Sequence, residues 1–171
     1  MDWGLILARV VHVGSAMVWF GGAIVSSFFI APTAEALGKS GAEFMDHLMR
    51  RRGLGMLFPI AATLAILSGA ILYWRDSGGL QAAWITSGPG LAFTIGGVAA
   101  IIALVGGFVL IMPGIAAQSA VRMQLAGGDG VPSDAQRDRL AWADRRLRLA
   151  SRVDLPLLVL AALTMAVGRY L

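Results

Sequence analysis

Four long apolar blocks dominate this chain, at about 4–31, 54–74, 90–118 and 153–170. Each is long enough to cross a hydrocarbon layer of ~30 Å at a helical rise of 1.5 Å per residue. Backbone groups find no water in lipid, so only helices or closed barrels cross it. The blocks are apolar without alternation of period two, which selects helices. The sequence therefore predicts an all-α fold, a single integral membrane four-helix bundle over residues 1–171. Basic segments at 33–52 and 122–152 are expected to form amphipathic helices at the cytoplasmic surface, after spans 1 and 3.

Composition narrows the function classes. Of the 171 residues only 14% are charged and 57% are hydrophobic, whereas soluble domains carry about 25% charged residues. A separate soluble catalytic domain has no room. The chain has no cysteine, which excludes disulfides, thiolate metal sites, iron–sulfur clusters and cysteine nucleophiles. It has no phosphate loop, hydrolase elbow or metalloprotease motif. The net charge of +4 does not point to nucleic acid, because the arginines cluster where they orient a membrane protein. The 1–2 segment holds Lys39, Arg50, Arg51 and Arg52, and the 3–4 segment holds Arg122, Arg137, Arg139, Arg145, Arg146, Arg148 and Arg152. The other side has only Arg9, Arg75 and Arg169. The excess predicts both basic segments in the cytoplasm and both termini outside. The first block lacks a positive n-region and is roughly twice the 7–15 apolar residues of a signal peptide, so it reads as a retained span.

Taken in order, span 1 places Arg9, His12, Ser15, Ala16, Trp19, Gly22 and Ser26 on one side at three- and four-residue spacing. Pro32 is expected to end the helix, with Thr33 capping the next. Over 34–50 a surface helix is expected, with Leu37, Gly41, Phe44, Met45 and Leu48 as its stripe. Glu35–Lys39, Glu43–His47 and Asp46–Arg50 would be its i,i+4 pairs. Span 2 follows Gly53, has Ala61, Ala65, Ser68 and Gly69 as a small-residue face, and ends in Tyr73, Trp74 and Arg75 as an interfacial belt. Span 3 carries the stripe Gly96, Ala100, Ala103, Gly107 and Gly114, a pattern that lets helix backbones approach closely. Pro113 predicts a kink, and Gly127-Gly128-Asp129-Gly130 a break. Ser133 and Gln136 form a capping-box pattern for a helix that can run into span 4, with a bend at Pro156.

His12 is the leading chemical candidate, because an ionisable side chain inside a span is costly and points to function. A neutral imidazole can ligate haem iron or copper, Trp19 can pack against a porphyrin, and Arg9, one turn outward, can pair with a propionate. The competing reading is a His12 that merely hydrogen-bonds across the bundle. The only other histidine, His47, belongs to the opposite membrane face, so one chain cannot supply two histidines to one haem. His12 alone, His12 with Met165 of span 4, or His12 from two subunits remain. Asp154 is expected to pair with Arg51 or its neighbours; a proton-relay carboxylate is the other reading. The arginine-rich helix 133–152 suits anionic lipid, an acidic partner, or a plain topology anchor. Copper carriage ranks last, since no His-x-His or Met-x-x-Met pair occurs.

Leu7-Ala8-Arg9-Val10-Val11-His12, followed by Trp19-Phe20-Gly21-Gly22, resembles the first helix of the copper-resistance-D-like membrane proteins and of the oxygen-independent protoporphyrinogen oxidases. Met49-Arg50-Arg51-Arg52 through Pro59, Ser68-Gly69 and Leu72 is similar to the second helix of the latter. Ser151-Arg152-Val153-Asp154-Leu155-Pro156 is similar to their entry into the last helix. The resemblance implies a four-helix bundle in a bacterial inner membrane, with the His12 position as a haem b ligand and electron transfer or porphyrinogen oxidation as the activity. Span 3 lacks the lysine and further histidine of those oxidases, which favours an uncharacterised branch of the superfamily. A non-catalytic bundle, packed as a homo-oligomer or within a larger membrane complex through the span 3 stripe, is the alternative from a different class.

Overall fold

A computed structural model describes residues 2–126 and 131–171. Every regular element among them is helical. We name the helices α1 (Trp3–Ala36), α2 (Gly38–Asp46), α3 (Leu54–Asp76), α4 (Ala82–Ile85), α5 (Gly88–Leu125) and α6 (Asp134–Tyr170). Of these, α1, α3, α5 and α6 are long and apolar enough to cross a membrane. The break expected at 127–130 lies outside the described residues.

α1 opens under a cap, the Leu5 amide donating to Asp2 Oδ1 at 3.2 Å. It does not stop at Pro32. The helix widens into a π-turn over Ser26–Ile30 and continues through the proline to Ala36. Proline is tolerable just after such a turn because the local ladder is already rearranged. The chain reverses instead at Gly38, whose φ of +56° falls in the left-handed region that glycine enters without penalty. α2 then folds back so closely that Gly41 lies against the Ala34 carbonyl, with no space for a side chain. Of the three i,i+4 pairs expected here, only Asp46–Arg50 forms, at 3.7 Å. A second π-turn, His47–Arg51, leads into Gly53 (φ +76°) and the start of α3.

The spans pack as two close pairs, α1 with α3 and α5 with α6. Small residues make both approaches possible. In the first pair the Phe58 ring occupies the space beside Gly22, and the His12 ring lies beside Gly69. In the second, a side chain added at Gly96 would meet Thr164 Oγ1 at 2.6 Å, and one at Gly114 would meet Leu147 at 3.0 Å. Ala143, Ala150 and Ala161 form the buried seam of α6. Ala100 and Ala103 of the expected stripe are buried, but Gly107 is not part of it: Gly106 faces α6, and Gly107 meets nothing within 4 Å. The cause is a third π-turn, Gly107–Ile111, which changes the helical register. The two pairs meet where Trp19, Ile66 and Leu157 close over Ala99, Ala100 and Ala161.

Tyr73 does not belong to an outward belt. Its hydroxyl lies 2.6 Å from Thr94 Oγ1, and Trp84 packs edge-on to Tyr73 and stacks on Phe93. Trp74 alone of the expected belt aromatics stays outward. The capping box of Ser133 and Gln136 starts α6, and its α-helix passes Pro156 without interruption to Val167. The disturbance expected from Pro113 is the π-turn before it. Pro113 has no N–H to offer the turn before it, and in that turn the Val109 carbonyl accepts Arg146 Nη2 at 2.9 Å.

Candidate functional site

His12 sits on the face of α1 that turns to α3 and is half-buried. Its Nδ1 is 2.8 Å from the Ala65 carbonyl oxygen. A carbonyl only accepts, so Nδ1 carries the proton and, in the neutral ring, Nε2 keeps its lone pair. The contact is possible because Gly69 has no side chain: a Cβ there would fall 2.8 Å from His12 Cε1. Ser15 Oγ, next on the same face, donates to Val11 and His12 carbonyls of its own helix and does not compete for the ring. Nε2 makes no hydrogen bond among the described residues.

This arrangement answers both readings of the sequence. The ring does bond to a main-chain oxygen, but with one nitrogen only. A histidine held by Nδ1–H to a carbonyl, with Nε2 open, has the protonation and fixed orientation that a metal-ligating imidazole needs.

The other candidates fall in different places. Arg9 is largely exposed and lies 3.9 Å from Asp76, with Asp2 and Arg75 paired at 2.7 Å on the same rim. Trp19 is two turns below His12 and belongs to the packing between helix pairs. Met165 lies in the α5–α6 interface, its Cγ 3.0 Å from where a Cβ of Gly96 would be. Tyr73 and Thr94 tie α3 and α5 about one turn or less from Gly69 and Gly96, toward the Asp76 end of the bundle, so His12 and Met165 are at similar depth, within about one turn. No contact brings His12, Trp19 and Met165 into one cluster. His47 is exposed at the basic end.

Asp154 makes no ion pair with Arg51 among the described residues. Its Oδ1 is buried without a hydrogen-bond partner and lies against Gly106, while Arg51 is exposed. The expected pair fails because Asp154 turns into the α5–α6 seam rather than toward the 1–2 segment. That segment is held by other contacts: Arg50 reaches Ser119 at 3.4 Å and Met123 Sδ at 3.0 Å, and Arg122 donates to the Ala42 carbonyl at 3.3 Å.

A cleft of about 610 Å³ opens at the basic end between Pro113, Ala117, Arg139 and Trp142, and one of about 250 Å³ lies beside Asp2, Trp74 and Arg75; neither is lined by His12. Among the described residues no group of three or more His, Cys, Asp or Glu side chains is placed to hold a metal ion. Sequence reasoning missed two features. The Ala65 carbonyl with Gly69 as acceptor and floor for His12 had a signal in the small-residue face of span 2. The Arg146–Val109 bond had one in Pro113, which withholds an N–H from the turn before it. Comparison with known protein families, with curated proteins and with solved structures finds no match to this chain.

Proposed function

We propose that this is a small integral membrane protein that binds haem b through His12 and serves in electron transfer. One observation carries the reading: Nδ1 is spent on the Ala65 carbonyl, and Nε2 is left with its lone pair and no partner among the described residues. The donor set fits one axial position per chain, since His47 lies at the other end of the bundle. Haem bound there would supply one-electron redox chemistry. The chain's own part is to hold the imidazole by Ala65 and Gly69 and to offer Arg9, exposed one turn outward, to a propionate. Trp19 packs near the centre of the bundle and Met165 lies at similar depth; either can border the group. On the charge count, both basic segments are assigned to the cytoplasm of a bacterial inner membrane, with both termini outside.

The test is a reduced-minus-oxidised spectrum of the detergent-purified protein after haem-replete expression. A Soret band present in the wild type and absent from His12→Ala and His12→Gln, both still helical and monodisperse, supports the reading. A colourless wild type refutes it. A packing role in a larger membrane assembly is the second reading. It is favoured by Gly97 and Gly107, where an added Cβ meets nothing within 4 Å, so that α5 keeps small residues free on its outer side for another helix.

A further inference from the structure

The outward face of α6 changes character within one turn. Ala143, Ala150 and Ala161 are buried against the bundle. At 3.6 residues per turn the opposite side of the helix carries Arg145, Arg148 and Arg152, followed by Pro156, Val159 and Leu163. All six are exposed. None of the three arginines has an acidic partner among the described residues. Between Arg152 and Arg169 only Asp154 carries charge, and the 17 residues from one arginine to the other cover about 26 Å along a helix, close to the ~30 Å of a hydrocarbon layer. Arg152 thus falls at the edge of that layer, and Arg145 about 10 Å farther out, so the three span the depth of the headgroups. Spacings of three and four residues bring neighbouring side chains within reach of one another, so two guanidinium groups can share the oxygens of one phosphate.

We propose that this face holds an anionic glycerophospholipid, with its phosphate between Arg148 and its neighbours Arg145 and Arg152 and its acyl chains along Val159 and Leu163. The same face fixes the class of occupant. An acidic protein would satisfy the arginines but would meet the apolar half in hydrocarbon, whereas a phospholipid matches both halves at the heights where they occur.

The experiment is a native mass-spectrometry titration of the full chain in neutral detergent with phosphatidylglycerol, and with phosphatidylcholine as the zwitterionic control. Wild-type protein should bind phosphatidylglycerol more tightly. The exposed double variant R148Q/R152Q should weaken that binding about 30-fold, at the usual contribution per basic residue near a lipid surface. Phosphatidylcholine binding should not change. The double variant R137Q/R139Q removes the same charge from the outer part of the same helix and should stay within about threefold of wild type. Equal weakening by both double variants would mean that net charge alone attracts lipid and would overturn the proposal. So would equal binding of the two lipids by the wild type.

Discussion

Replacing Gly69 with alanine probes the His12 site without touching the histidine. The added Cβ would fall 2.8 Å from His12 Cε1 and 3.1 Å from Nδ1, whereas relaxed carbon contacts lie at about 3.5–4.0 Å. The ring therefore has to move away from α3 by about 1 Å. Nδ1 starts 2.8 Å from the Ala65 oxygen, so that movement stretches the contact beyond hydrogen-bonding range. The bond is worth about 0.6–1.7 kcal/mol between membrane helices, and an off-rotamer ring costs about 0.5–1.5 kcal/mol. Gly69→Ala should thus destabilise the protein by about 1–3 kcal/mol. The assay is reversible unfolding in mixed micelles with rising SDS, followed by helicity, run as a double-mutant cycle with His12→Ala. With the imidazole gone, the space beside residue 69 is vacated, and the alanine should then cost less than about 0.5 kcal/mol. An equal penalty in both backgrounds, or none in either, would show that Gly69 and the ring do not constrain one another.

Arg146→Ala should cost about 1–2 kcal/mol by removing the link from α6 to the Val109 carbonyl. In a Pro113→Ala background, where the helix regains an N–H, that cost should shrink; an unchanged cost in the same SDS titration would break the link between the proline and the arginine. Gly96→Leu should destabilise the α5–α6 pair, because Thr164 and Met165 already fill the space beside residue 96. Gly107→Leu should leave the stability of the isolated chain unchanged, and loss of a higher band on blue native gels with that variant alone would mark Gly107 as an assembly surface.

The four spans were legible because lipid imposes a long-range rule that composition alone can satisfy, and each apolar block found its helix. Residues closer to the water were harder to read. Glu35–Lys39 satisfies the i,i+4 rule in sequence, but the chain turns between Leu37 and Gly38, so those helical neighbours are lost; Glu43 and His47 stay in register, the His47 amide donating to the Glu43 carbonyl, yet their side chains do not pair. The Gly107 register failed for a different reason: a strict period of 3.6 does not survive a π-turn, and nothing in the run Gly106-Gly107 says which glycine will face α6. Asp154 shows another limit. Sequence counts the arginines available to a carboxylate, but not which way the carboxylate points. His12 was found because it is the only ionisable residue in the middle of its span, whereas its partner, a main-chain oxygen, carries no residue-type signal at all.

Backbone proximity connects these observations. From Trp3 to Val25, α1 contains no buried residue, and most of the buried apolar residues in the rest of the protein are alanines. Lipid gives helices no hydrophobic incentive to associate, so close packing and polar links between them have to hold the bundle. Small residues bring the helices near enough for side chains of one to reach the main chain of another, as His12 reaches Ala65 and Arg146 reaches Val109. Arg146 reaches a carbonyl within the π-turn that precedes Pro113, where the α-helical ladder is interrupted. Ala65 is different: it lies in uninterrupted helix, six residues past Pro59, where its oxygen already has a helical donor in register. The His12 bond therefore relieves no backbone deficit in α3, and what it does accomplish is to fix one tautomer and one orientation of an imidazole whose other nitrogen makes no hydrogen bond among the described residues.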